Sequence, residues 1–299
     1  MSEILNEASN GAPNEVWENL LEPDTPVAPG YRVVAHLYRS NNFDVYDVFS
    51  EERASRCIAK LPSPERADDD VVRQRLLREG RLLLKLTHPH IVRAYEIIRE
   101  PAPVVILETL TGETLGHLIE SREASGARRL PLQAVTYLGL HLCSAMHYLH
   151  GHNILHLDLK PSNIVSERGL AKVLDLSIAR KPGRGIPGAG TRSYMAPEQA
   201  EGGNVSAASD VWGIGAVLFE ATTGEVPFEA YGETDYADTE DDRYDQLERR
   251  AESVRTHRRV PKPLADTIDA CLEPDPAQRP TVDGLSRRLN AVLEDLTKS

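Results

Sequence analysis

Cysteine is scarce in this chain. Cys57, Cys143 and Cys271 are the only three in 299 residues, and they lie far apart, without the close spacing that metal sites and redox pairs need. They are expected to be reduced, buried thiols rather than a site. Aromatic residues make up only 5% of the chain, and no run approaches the ~18 uninterrupted apolar residues of a membrane-spanning helix. The amino terminus, Met1-Ser2-Glu3, lacks the basic stretch and apolar run of a secretory signal. Positive charge is in deficit: 34 Lys and Arg against 46 Asp and Glu leave a formal net charge of −12. That balance argues against a general binder of nucleic acid or anionic membrane. A cytoplasmic location with no membrane or nucleic-acid partner is therefore expected.

What is present suffices for a sizeable core. At 40% hydrophobic residues the chain could form one large domain or two lobes. Residues 1–28, rich in Glu, Asn, Pro and Gly, are expected to be a flexible acidic extension. Within it Val16, Trp17, Leu20 and Leu21 read as a chance apolar cluster, the alternative being one amphipathic turn docked on a neighbour. From residue 31 the pattern turns β-rich, with runs at 31–37, 43–49 and 57–61. A turn is expected at Asn41-Asn42, because asparagine tolerates left-handed backbone. A helix is expected over 65–87, stopped by His88-Pro89-His90.

In that helix Val72, Leu76, Glu79, Leu83 and Leu86 fall on one face. A glutamate on an apolar stripe needs a partner, and Lys60, at the end of the third β run, is the candidate. Gly80 beside it is a poor helix former and implies close packing. Strands at 92–99 and 104–108 follow, then a short strand at 172–175 and helices at 132–151, 209–223, 265–272 and 282–296. The dense acids Glu233, Asp235, Asp238, Glu240, Asp241 and Asp242 are expected in a solvated loop.

The most informative stretch is His156-Leu157-Asp158-Leu159-Lys160-Pro161-Ser162-Asn163. An acid, a base and an amide in this order suit a site where a hydroxyl attacks a metal-bound phosphate. The acid orients the hydroxyl and accepts its proton, the lysine neutralises the transferring group, and the amide oxygen holds the metal. The segment resembles the catalytic loop of serine/threonine protein kinases. The resemblance extends from about residue 31 to the C-terminus and is carried by Lys60, Glu79, Asp158, Lys160, Asn163, Asp175, Glu198, Asp210 and Arg279 in family order.

The resemblance implies an α+β, bilobal protein-kinase-like fold, of the kind found in stand-alone bacterial kinases. Residues 29–110 would be a small β-rich N-lobe with one major helix, and residues 111–299 a larger, mainly α-helical C-lobe. It implies ATP and Mg as cofactors and a protein with a Ser or Thr acceptor as substrate. Asp158 and Lys160 would be catalytic, and Asn163 and Asp175 would ligate the metal. Lys60, held by Glu79, would anchor the nucleotide in a pocket completed by Val45, Ala59, Glu108 and Leu110. Asp210 would brace the catalytic loop, and Arg279 would pair with Glu198.

Four departures from the family pattern matter. Tyr38, Ser40 and Phe43 align with the three glycines of the phosphate-covering loop, so phosphate contact there should be weaker or differently shaped. Leu157 stands where the family usually has arginine, and the segment from Ile178 to Gly190 contains no Ser, Thr or Tyr. Together these two predict a kinase not gated by phosphate on its activation segment. Asp175-Leu176-Ser177 replaces Asp-Phe-Gly, so that segment should flip less readily. A pseudokinase acting as a binding module is the alternative. The retained ionic set favours activity, since each such charge is costly in a dry cleft.

Overall fold

The computed structural model describes residues 19–124, 129–229 and 244–298. Contact density divides the chain into a unit ending at Thr111 and a second beginning at Gly112. The acidic stretch around Glu233–Asp242, and Val16 and Trp17, lie outside the described residues.

The first unit is a six-stranded antiparallel sheet with one long helix. Its strands are β1 (Pro26–Ala28), β2 (Tyr31–Arg39), β3 (Phe43–Ser50), β4 (Ser55–Pro62), β5 (Ala94–Ile98) and β6 (Val104–Leu107), in the order β1-β2-β3-β4-β6-β5. Strand alternation sorts the side chains onto two faces. Tyr31, Val33, Tyr46, Val48, Cys57, Ala59, Val104 and Ile106 make one apolar cluster. Lys60 and its cross-strand partners Val45 and Val105 take the opposite face, where α1 (Asp70–Leu83) packs.

The extension is not wholly free. Leu21 and Val27 pack on the apolar cluster, the Leu21 amide donates to the Tyr46 hydroxyl at 3.1 Å, and β1 pairs with β2. The expectation of a flexible tail to residue 28 is therefore corrected for residues 19–28. An exposed apolar sheet face gains about 25 cal/mol per Å² by being covered, and these residues cover it.

Helix α1 is shorter than expected at both ends. Asp69 caps it by accepting from the amides of Val71 and Val72, which resets the start. At the other end Lys85 and Leu86 donate to Leu82 and Leu83, tightening the last turn, so the helix finishes before His88-Pro89-His90 rather than because of it. Its buried face carries Val72, Leu76, Glu79, Gly80 and Leu83. A Cβ on Gly80 would stand 2.8 Å from Val105 Cγ2, which explains a glycine in the middle of this helix. The turn at Asn41-Asn42 also forms differently. Neither asparagine has positive φ, and the Ser40 hydroxyl instead accepts from the amides of Asn42 and Phe43.

The second unit is mainly helical: α2 (Leu115–Ala124), α3 (Leu132–Gly151), α4 (Pro197–Ala200), α5 (Ala207–Thr223), α6 (Asp245–Glu248), α7 (Val254–His257), α8 (Lys262–Cys271) and α9 (Val282–Lys298). Two small sheets accompany them. One is β7 (Glu113–Thr114), β8 (Ile164–Glu167) and β9 (Leu170–Val173); the other pairs β10 (Gly183–Arg184) with β11 (Asn204–Val205). Helix α5 is the buried axis. A Ser206/Ser209 capping box opens it and Gly224, at φ +83°, closes it. A Cβ on Gly139 of α3 would meet Leu289 of α9 at 2.7 Å and Leu218 of α5 at 3.1 Å, so α3 lies tight against both. The three cysteines are free and buried, and burial pushes the Cys143 thiol up to about 12. Among the described residues no helix is long and apolar enough to cross a membrane.

Candidate active site

In the first unit, Lys60 Nζ donates to both carboxylate oxygens of Glu79, at 3.0 and 2.9 Å, with both side chains almost fully buried. This is the pair that the helix stripe demands. The Phe43 ring lies against the same ammonium, its centroid 4.9 Å from Nζ, and the Arg75 guanidinium is 5.9 Å from that ring.

The hairpin that carries Phe43 is locked by charge. Arg39 donates to both oxygens of Asp44 at 2.6 and 2.7 Å in a buried, two-pronged pair, and His36 approaches the same carboxylate at 3.3 Å. Burial alone would raise the Asp44 pKa, but the hydrogen bonds from Arg39 and His36 and the charge of Arg39 outweigh it and hold the carboxyl below its ordinary value.

Ala59 is corrected: fully buried, it packs in the apolar cluster on the face opposite Lys60 and Val45, because adjacent strand residues point to opposite faces. Ile58 shares the Lys60 face instead and is half-buried. Counting by two from Lys60 would have found it. Glu108 follows β6, its amide donating to Arg93 O at 2.9 Å while its carboxylate accepts from Arg93 N. Leu110, two residues on, is half-buried.

In the second unit the loop between α3 and β8 gathers most of the remaining groups. Asp158 accepts from Asn163 Nδ2 at 3.1 Å and from the Thr191 hydroxyl at 2.7 Å. Asn163 Nδ2 also donates to Asp158 O, so both amide hydrogens point at Asp158 and the amide oxygen is turned elsewhere. Lys160, half-buried, leads into the 3-10 turn Pro161–Asn163. Asp175 follows β9 at φ +42° and accepts from the Ser177 amide at 2.8 Å, while Leu176 fills an apolar site. The segment is tied to the loop on both sides, since Leu174 N donates to Asn163 O and Leu174 O meets His156 Nε2 at 3.1 Å.

Beneath the loop, Asp210 of α5 accepts from the amides of His156 and Leu157 at 3.0 and 2.8 Å and meets His150 Nε2 at 2.7 Å. Leu157 needs that brace. Its φ is +69°, a conformation costing roughly 1–3 kcal/mol for a residue with a side chain. Asp210 holds its amide, Gln199 donates to its carbonyl at 2.7 Å, and its side chain packs with Leu155, Val205 and Ile178. Arg279 clasps Glu198 with two bonds of 2.8 Å, and Ser209 adds a third at 2.7 Å. His150, Thr191 and Gln199 were not singled out from sequence. Each acts through tertiary contacts that neither spacing nor periodicity reveals.

Among the described residues no group of three or more His, Cys, Asp or Glu forms a metal cage. The hard oxygens of Asn163 and Asp175 nonetheless suit magnesium. That ion takes one or two protein ligands and fills its octahedron with water and phosphate.

A β-sheet unit bearing a buried lysine–glutamate pair, and a helical unit bearing a braced acid–amide loop, are the parts of a protein-kinase fold, of class α+β. Residues 39–289 match the family model described as protein kinase domain, and the chain belongs to that family. It is 33% identical over 218 residues to the DNA damage-responsive serine/threonine-protein kinase RqkA of Deinococcus radiodurans, covering 70% of this chain and 32% of that one. A probable serine/threonine-protein kinase PknB of Lactococcus lactis is 32% identical over 210 residues, covering 68% and 33%. The serine/threonine-protein kinase PkaA of Streptomyces coelicolor is 31% identical over 247 residues, covering 79% and 43%. The chain thus spans a third to under half of the length of these relatives.

Proposed function

We propose that this chain is an ATP-dependent serine/threonine protein kinase that transfers the γ-phosphate of Mg-ATP to a protein hydroxyl. We propose further that phosphate on its activation segment does not gate it. Asp158 carries the reading. Its carboxylate is oriented by Asn163 and Thr191, on a backbone that Asp210 pins from below. A carboxylate fixed this way can align a substrate hydroxyl and take its proton without reorganising. Lys160 neutralises charge on the transferring group, and Lys60, oriented by Glu79, holds the phosphates of the nucleotide. Asn163 and Asp175 would hold Mg, which supplies charge neutralisation on the phosphate oxygens. A cytoplasmic location and an N-lobe/C-lobe boundary near residue 110 belong to the same reading.

The second half of the proposal is supported by how the segment is held. Leu157, in the usual arginine position, is buried among Leu155, Ile178 and Val205. The segment is pinned by the β10–β11 pairing, by Gly185 N to Gly203 O at 2.7 Å, and by Gln199 to Ala189 O. Its first hydroxyls after residue 177, Thr191 and Ser193, are buried, and Thr191 is already bonded to Asp158. The deciding experiment is transfer of labelled phosphate from ATP to a generic protein substrate, with Asp158→Asn as control and a phosphatase-treated sample alongside. Transfer by the wild type, absent in the variant and unchanged by phosphatase, is expected. Equal signal in wild type and variant, or none in either, overturns the enzyme reading; loss on phosphatase treatment overturns the ungated one.

A further inference from the structure

We infer that Phe43 is a gate on nucleotide affinity: its ring occupies the approach to Lys60 that a phosphate needs, and binding ATP requires the ring to swing aside. The inference rests on the kinase reading above, in which Lys60 receives phosphate.

Phe43, Val45 and Lys60 share one face of the sheet, since residues 43 and 45 are two apart on β3 and Val45 is the cross-strand partner of Lys60. Lys60 is 6% exposed and Phe43 is 5% exposed. The ammonium already spends donors on two oxygens of Glu79, and the ring covers another approach with its centroid 4.9 Å from Nζ. A phosphate oxygen entering between them at hydrogen-bonding distance, about 2.8 Å from the nitrogen, would sit roughly 2 Å from the ring centre. That is well inside van der Waals contact. Phosphate and ring therefore exclude one another on that side of the ammonium.

The loop cannot relieve the clash by flexing, as a glycine loop would. Ser40 N donates to Phe43 O at 2.8 Å, and Phe43 N donates to Ser40 Oγ at 3.0 Å. The next residue, Asp44, is held by the buried pair with Arg39. The Phe43 backbone is thus fixed on both sides, and the motion left to it is rotation of the side chain between staggered wells. Swinging out breaks a partly desolvated contact with Lys60 and leaves apolar surface in water, both of which lower the apparent affinity for ATP. Adenosine has no phosphate to place beside Lys60 and avoids that penalty.

The test is titration of wild type, Phe43→Ala and Phe43→Leu with Mg-ATP and separately with adenosine, read by thermal shift or calorimetry. Phe43→Leu keeps an apolar side chain in the site, so the test survives if the alanine variant does not fold. ATP should bind roughly tenfold more tightly to Phe43→Ala, with a smaller gain for Phe43→Leu, and adenosine should change by less than about twofold. Unchanged or weaker ATP binding in the variants overturns the gate, as does an equal gain for adenosine. Tighter ATP binding without phosphate transfer by any of the proteins would leave the gate standing and refute the kinase reading. Transfer with ATP affinity unmoved would do the reverse.

Discussion

The β2–β3 hairpin and the loop from His156 to Asn163 solve opposite problems. The hairpin has lost the residues that its family uses there, yet it is tightly built: a buried Arg39–Asp44 pair and a Ser40-capped turn replace backbone freedom with fixed charge. The loop from His156 to Asn163 has kept its ionic residues and instead carries strain, with Leu157 at φ +69° held down by Asp210 and Gln199. One region keeps its shape without the family's residues, and the other keeps those residues on a backbone of unfavourable shape. Family membership is therefore a statement about framework, and each half of the reaction has to be argued from its own contacts.

The comparison breaks most directly at Asp158. If the second region alone carries proton transfer, Asp158→Asn should lower kcat by roughly 10²–10⁴-fold while leaving the fold intact. Single-turnover kinetics with matched melting curves checks it, and a loss below about tenfold would move the chemistry elsewhere. In the hairpin the corresponding break is structural. Arg39→Ala strands a buried carboxylate and should cost about 3–5 kcal/mol, read by chemical denaturation. The same carboxylate sets an acid limit. The folded Asp44 pKa lies below its ordinary value of 3.8, so its contribution is fully present above that value and is lost as the pH falls through the folded pKa. In Asp44→Asn that part of the acid lability should vanish.

Glu220 of α5 has the opposite sign. Burial pushes its carboxyl up to about 7, opposed by the hydrogen bond from Tyr194 and reinforced by the charge of Glu120. The unfolded carboxyl titrates near 4.5, so between that value and about 7 the folded state holds the extra proton, and stability falls as the pH rises. Glu220→Gln should remove a slope worth on the order of 3 kcal/mol across that window. Denaturation at pH 5 and pH 8 measures it, and a variant with the wild-type slope would sink the assignment.

Much of this was legible in the residues. The stripe Val72-Leu76-Glu79-Leu83 demanded a partner for Glu79, and α3 runs from Leu132 to Gly151 around an apolar period that spans Val135 to Leu149. What escaped depends on which way a side chain points. Ala59 and Lys60 face apart because adjacent strand positions do, and the ring of Phe43 on Lys60 follows from a register that a single strand does not reveal. The early start of β-structure at Pro26 was hidden too, because the apolar face it helps cover is assembled from four other strands.

Thr191 gives the finest test of the contrast. Its hydroxyl reaches the Asp158 carboxylate through one bond of 2.7 Å, with no charge of its own. If the second region works by orientation, Thr191→Val should lower kcat by about tenfold, the value of one hydrogen bond to a charged acceptor, and leave KM for ATP unmoved. Thr191→Ser keeps the hydroxyl and should restore most of the rate. A drop in KM-limited rate alone, or no rescue by serine, would mean that the threonine only packs the segment. The orientation of Asp158 would then rest on Asn163 and the brace at Asp210.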